Sequence, residues 1–188
     1  LLTPTASAFE VYYQNKKVGE VCWSLIGVFN VHNAVSAIVA ARHAGVPVEI
    51  SCQALNQFLG VKRRLTHLRS DQFDLYEDFA HHPTAIQVTL SALRHVYPNR
   101  RLIAIIEPRS NSMRAGAFKN QLAESTQEAD LIFFYRDPSW AWEIPLSDFR
   151  QAVLVANSYD DLYEHIMQNM QTEDVIVCMS NGGFGGII

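Results

Sequence analysis

The chain has 188 residues, 48% of them hydrophobic and 18% charged, with a formal net charge of −4. This is the composition of a globular protein, long enough for one large domain or a domain and a half, with no disordered tract. It excludes a membrane-spanning segment, because no apolar run approaches the ~20 residues a bilayer requires, and it offers no basic surface for nucleic acid.

The opening LLTPTASAFEVYYQ lacks the basic start and apolar block of a secretory leader. AFEVYYQNKKVGEVCWSL alternates apolar and polar residues on either side of QNKK, which predicts a β-hairpin. HNAVSAIVAARHAG is apolar nearly all round and predicts a buried helix stopped by Gly45 and Pro47. A short helix over residues 50–58 then leads into FLGVKRR. A hairpin and two helices make no complete nucleotide-binding unit, and no GxxxxGK[ST] loop occurs. Residues 1–64 therefore read as the tail of a domain that starts further upstream.

From Leu65 the pattern becomes regular. LTHLRS, FDLYEDF, RLIAII, DLIFFY, AVLVA and DVIVCMS are strand-like, with helical patterns over 83–96, 115–129 and 159–170 between the later ones. In the first of these helices Ile86, Leu90, Leu93 and Tyr97 form one buried stripe. Such alternation predicts an α/β fold with a doubly wound, mostly parallel, Rossmann-like sheet. Ligands of such sheets bind beyond the carboxyl ends of the strands. Those ends carry DFAHHP, EPRSNSMR, YRDPSW and SNGGFGG, most of the unusual polar chemistry in the chain.

Charge and cysteines add two expectations. The balance is +3 through Arg64 and −7 beyond it, so the basic cluster Lys62–Arg64 sits at a composition boundary. It reads either as a solvated linker or as an anion grip in which the Arg64 guanidinium holds phosphate. Cys22, Cys52 and Cys178 are odd in number and form no CxxC, so they are expected as core thiols in a reducing cytoplasm.

His81 and His82 are adjacent, and neighbouring side chains of an extended segment diverge. No partner lies at the four-residue spacing of a helical ligand pair, so no metal is expected there. Pro83 suits a first helical turn, which places both histidines in the strand-to-helix turn, where a structural and a functional reading stand side by side. His32 and Asn33 open a helix, and Asn33 reads equally as an N-cap. SNGGFGG suits close backbone approach to a ligand better than phosphate binding.

In order and spacing, HNAVSAIVAARHAG, FLGVKRR, EDFAHHPTAI and EPRSNSMR resemble the second half of a Mur ligase, an ATP-dependent amide-forming enzyme of peptidoglycan assembly. The resemblance covers nearly the whole chain. EDFAHHPT is similar to the DDYAHHPT-like stretch of the branch that adds to UDP-N-acetylmuramate. EPRSNSMR and SNGGFGG are closest to the recycling branch, which joins L-alanyl-γ-D-glutamyl-meso-diaminopimelate to that sugar. The L-alanine-adding branch, with a QPHRYTR-like stretch and a GAGD-like ending, is the second expectation. A non-catalytic nucleotide-binding Rossmann-like module, or a hydrolase holding a metal at His81 and His82, is the reading from another class.

The resemblance implies a three-domain parent. Residues 1–64 would end its central ATPase domain, and residues 65–188 would form its C-terminal domain. It implies ATP and Mg2+ as cofactors, with the Mg2+ ligands in the upstream part, and a fragment inactive alone. It places Asn33, beside His32, at the adenine, Arg64 at the nucleotide phosphates and Asp78 at the ribose. Many members carry a second asparagine three residues after the first, where this chain has Ser36. Arg64, Asp78 and His81 would form the catalytic group, with His81 facing substrate. Arg109, Asn111, Arg136 and Asn181 would contact the acidic tripeptide.

Overall fold

The computed structural model describes residues 1–186. It divides into two units, Leu1–Val61 and Lys62–Ile188. The division falls ahead of the basic cluster, because the Lys62–Arg64 turn is tied by its hydrogen bonds to the second unit.

In the first unit β1 (Ala8–Tyr13) and β2 (Lys16–Cys22) pair antiparallel. The connection is only Gln14 and Asn15, with φ of 49° and 61°. Positive φ at both central residues matches the right-handed twist of the strands, so Lys16 and Lys17 belong to β2 rather than to the turn. Helix α1 spans Val28–His43 and α2 spans Val48–Asn56. Phe9, Val21, Trp23, Ala34, Ile38 and Cys52 form the core of this unit.

Three expectations are corrected here. Helix α1 begins four residues before His32, and Gly27 occupies its N-cap position, so Asn33 is no N-cap. Nor is the helix buried all round: within it only Ala34 and Ile38 are buried, while Val39 is 62% exposed. Cys22 is exposed, unlike Cys52 and Cys178. Burial pushes the Cys178 thiol up to about 12, which makes it an inert core group.

The second unit is an α/β fold built on a six-stranded sheet in the order β3-β4-β8-β5-β6-β7. Its strands are β3 (Thr66–Ser70), β4 (Asp74–Asp78), β5 (Leu102–Glu107), β6 (Leu131–Tyr135), β7 (Ala152–Ala156) and β8 (Val175–Ser180). Only β3, at one edge, is antiparallel to its neighbour. All six residues of β5 and of β8 are buried, as both faces of a parallel sheet require. Helix α3 (Pro83–Val96) leads from β4 to β5 and packs with α5. Its Ile86, Leu90 and Leu93 are fully buried, each worth about 1.5–3 kcal/mol. Helix α6 (Tyr159–Asn169) contributes Leu162 and Ile166 to a core with Ile103, Ile105, Phe133, Ile176 and Cys178. Ser158 caps it by accepting from the Asp161 N–H at 3.0 Å.

In place of the helix expected over 115–129 stand only a 3-10 turn over Lys119–Gln121 and α5 (Leu122–Ser125), preceded by the short α4 (Asn111–Arg114). Gly116 causes the break: its φ is +72°, and a Cβ there would lie 2.9 Å from the Trp142 ring.

At the amino end of β4, Asp74 is buried between the His67 Nε2, 2.7 Å away, and the Arg100 Nη1, 2.5 Å away. Arg100 also donates to the carbonyls of Glu173 and Asp174, tying β4 to the turn before β8. Burial pushes the Asp74 carboxyl up, but the bonds from Arg100, Ser70 and His67 outweigh it and hold the group below the ordinary value. Asp74→Ala is expected to cost about 2 kcal/mol at neutral pH, read from urea unfolding. A lowered folded value means the stabilisation is present above the unfolded value of about 3.9 and is lost as pH falls through the folded one. The gap between wild type and variant should therefore close in acid.

Candidate functional site

The carboxyl ends of five parallel strands, with the start of β3 beside β4, bring one set of side chains to a single edge of the second unit. From β4 come Asp78 and His81, from β5 Arg109 and Asn111, from β6 Arg136, and from β8 Asn181. Arg64 lies just ahead of β3. His32 and Asn33 belong to the first unit, where both are exposed on α1. Asn30, three residues before Asn33 on the same helix, donates from Nδ2 to the Ile26 carbonyl at 2.9 Å.

The Lys62–Leu65 turn is shaped by its neighbours. Arg63 has φ of 60° and Leu65 of 51°, a left-handed backbone that non-glycine residues keep only when surrounding bonds impose it. Those bonds are present. Phe79 N–H donates to the Arg63 carbonyl at 2.8 Å, and Leu65 N–H donates to Asp78 Oδ2 at 2.6 Å. The Arg63 side chain donates to Glu77 Oε1 at 2.7 Å, to the Ser180 carbonyl at 2.7 Å, and to the Gly182 carbonyl. Arg63 is thus a structural tie, which FLGVKRR signalled only as positive charge. Arg64 differs from it. Arg64 is exposed, makes no ion pair among the described residues, and lies over the Phe79 ring at 5.2 Å. An unneutralised guanidinium stacked on an aromatic face can take an oxyanion in a fork of two N–H groups.

Two of the expected contact residues are engaged by neighbouring backbone in this structure. Asp78 is 4% exposed and turned inward. Its Oδ2 accepts from Leu65 N–H, while Oδ1 accepts from Ala80 N–H at 2.7 Å and more distantly from Thr89. Burial, the largest influence, pushes its carboxyl above the ordinary value despite these donors. Its position staples the Arg64 turn. Arg136 is also committed, with Nε donating to the Trp142 carbonyl at 2.9 Å and Nη2 to the Trp140 carbonyl at 3.0 Å. It holds the loop in which Trp140 and Trp142 stack, and its Nη1 lies 3.5 Å from Asn157 Oδ1.

His81 is half-buried with Nδ1 2.9 Å from the Phe79 carbonyl. That acceptor assigns the ring proton to Nδ1 and leaves Nε2 as the free nitrogen. His82 occupies the N-cap position of α3, its ring edge-on to Phe118 at 4.3 Å. Arg109 and Asn111 are exposed, and so is Arg114, a third polar group that the expected list omitted although EPRSNSMR contains it. Neither Arg109 nor Arg114 makes an ion pair among the described residues. Asn181 Oδ1 is buried without a hydrogen-bond partner. Among the described residues no group of three or more His, Cys, Asp or Glu side chains could hold a metal ion. No described helix is long and apolar enough to cross a membrane.

Comparison with known proteins decides the family. The Mur ligase, glutamate ligase domain family matches residues 63–182. The chain belongs to the Mur ligase family. It is 43% identical over 193 residues to the UDP-N-acetylmuramate--L-alanyl-gamma-D-glutamyl-meso-2,6-diaminoheptandioate ligase of Escherichia coli, a match covering 99% of this chain and 42% of that one. The UDP-N-acetylmuramate--L-alanine ligase of Lactococcus lactis is 35% identical over 68% of this chain and 28% of its own length. Among solved structures, a murein peptide ligase from Psychrobacter arcticus superimposes with a TM-score of 0.73 at 38% identity, over all of this chain and 41% of that one. The chain therefore spans about two-fifths of the length of these Mur ligases.

Proposed function

We propose that this Mur ligase chain is the end of the central ATPase domain plus the C-terminal domain of a recycling ligase. That enzyme joins L-alanyl-γ-D-glutamyl-meso-diaminopimelate to UDP-N-acetylmuramate. The observation that carries the reading is identity of 43% sustained over 99% of the chain to a ligase so named, rather than over one motif. The shorter, weaker match to an L-alanine ligase makes that activity the second reading. Exposed Val28, Val35 and Val39 on α1 suit a piece that packs against more of an ATPase domain. Unpaired cysteines fit a reducing cytoplasm.

ATP supplies the phosphoryl group that turns the muramate carboxylate into an acyl phosphate. Chemistry of that kind asks the protein for positioned charge more than for covalent help. Arg64, exposed and unpaired over Phe79, is the group here that fits an anionic phosphate. The described residues offer no clustered ligand set for Mg2+, which we assign to the rest of the protein. Arg109, Arg114 and Asn111 suit the carboxylates of the tripeptide. Asn181 Oδ1 suits a peptide N–H, and His81 Nε2 completes the rim. Asp78 and Arg136 serve by holding the turns beside these groups.

The test is phosphate release by the full-length protein with ATP and UDP-N-acetylmuramate, offered tripeptide and L-alanine in competition. Tripeptide-dependent release with a tripeptide product is the expected outcome, and the isolated 188-residue chain should release none. Preference for L-alanine moves the assignment to the second reading. Release by neither amine, or turnover by the isolated chain, overturns it.

A further inference from the structure

Glu107, the last residue of β5, is 2% exposed yet contacts no cation by hydrogen bond. Its Oε1 accepts from Tyr159 Oη at 2.5 Å, and its Oε2 accepts from Ser180 Oγ. A buried carboxylate is costly unless its lone pairs are filled, and here two hydroxyls from two other elements fill them. Burial first, and then the bond to Glu107, push the Tyr159 phenol above its ordinary value, which keeps it a donor. The Tyr159 ring stacks on Tyr135 at 4.3 Å and fills the space where a Cβ on Gly185 would stand, 2.5 Å from Cγ.

The Ser180 hydroxyl is the centre of the arrangement. Because its proton is given to Glu107, a lone pair is fixed toward the Gly182 N–H, which donates to it at 2.9 Å. Gly182 in turn lies against Arg109: a Cβ there would fall 2.8 Å from Arg109 Cδ, so the guanidinium rests on bare backbone. Arg63 holds the Ser180 and Gly182 carbonyls from the other side, and Phe184 is fully buried in the core. The loop is thus gripped from three directions, and only the Glu107 grip runs through a rotatable hydroxyl.

We propose that Glu107 is a positioning residue, which fixes the 180–186 loop through Ser180 and Tyr159 so that Gly182 holds Arg109, and Asn181 its unpartnered Oδ1, in register for the amine substrate. The inference rests on the ligase reading above. It adds a buried carboxylate that touches neither substrate nor nucleotide.

The experiment uses the full-length protein with Glu107→Ala and Glu107→Gln, read by amide hydrogen exchange over the loop and by steady-state kinetics. Glu107→Ala is expected to speed exchange at Gly182 and to raise the KM for tripeptide about 10-fold or more, the scale of one lost charge-assisted bond. The KM for ATP should change far less. Glu107→Gln retains one acceptor oxygen and should fall between wild type and Ala. Unchanged exchange overturns the proposal, and so does faster exchange with an unchanged peptide KM. If Glu107→Ala does not fold, Ser180→Ala and Tyr159→Phe each remove a single donor. Each must then show part of the same paired effect, and its absence from both overturns the proposal. If wild type forms no ligated product, the ligase reading fails by itself. Loop exchange and calorimetric titration of the tripeptide then decide the clamp: altered exchange with weakened binding supports it, and either one unchanged overturns it.

Discussion

Arg64→Ala in the full-length protein is expected to lower turnover about 10²-fold or more, the scale of removing one preorganised donor to a developing oxyanion. Stability should change by no more than about 0.5 kcal/mol, because the side chain is exposed and bonds to nothing beyond the Phe79 face. Its neighbour provides the contrast. Arg63 uses its side chain on Glu77, Ser180 and Gly182, so Arg63→Ala should lose stability and activity together. Arg64→Lys separates charge from shape, since a lysine ammonium cannot make the two-pronged contact. Near-normal kinetics in Arg64→Ala would reject the phosphate role. A melting loss as large as that of Arg63→Ala would make Arg64 a structural residue instead.

What the sequence disclosed and what it hid follow from the range of each physical signal. Strand and helix identity in the second unit was legible because burial on both faces forces short apolar runs, as in Leu102–Glu107 and Val175–Ser180, and because Pro83 marks a helix start. The break at Gly116 was not legible. It depends on Trp142, a ring 26 positions away that occupies the glycine's missing side-chain space. Helix α1 misled in the opposite sense: its apolar surface is real, but within its unit only one face finds a partner.

The site divides the same way. Topology puts His81, Arg109, Asn111 and Asn181 beyond the carboxyl ends of the strands on one edge, with Arg64 just ahead of β3. Direction was the hidden quantity. Asp78 and Arg136 stand at the same edge, yet each makes its shortest hydrogen bonds to backbone. Glu107 was hidden entirely, because its partners Tyr159 and Ser180 lie 52 and 73 positions away in the chain. Charge in a motif tells that a group is available, and only the fold tells whether it is already taken.

Asp78 turns that distinction into the largest stability prediction. Asp78→Ala should destabilise the protein by about 2–6 kcal/mol, from two buried N–H donors left without an acceptor at roughly 1–3 kcal/mol each. The loss leaves the buried Leu65 and Ala80 N–H groups without their acceptor and removes support from the left-handed backbone at Leu65. Asp78→Asn should fall in between, since one amide oxygen replaces two acceptors. The pH dependence has a definite sign. Burial raises the folded carboxyl above its unfolded value, so the folded state holds the proton more tightly. Stability from this group is therefore full below the unfolded value of about 3.9 and declines as pH rises through the raised folded value. Asp78→Asn lacks that decline, so its deficit relative to wild type should be widest in acid and should narrow across that window, read from urea midpoints against pH. An unchanged midpoint would reject the staple. A stable Asp78→Asn protein with collapsed turnover and a raised KM for ATP would return the carboxylate to the nucleotide, and no buried bond to Leu65 could account for that result.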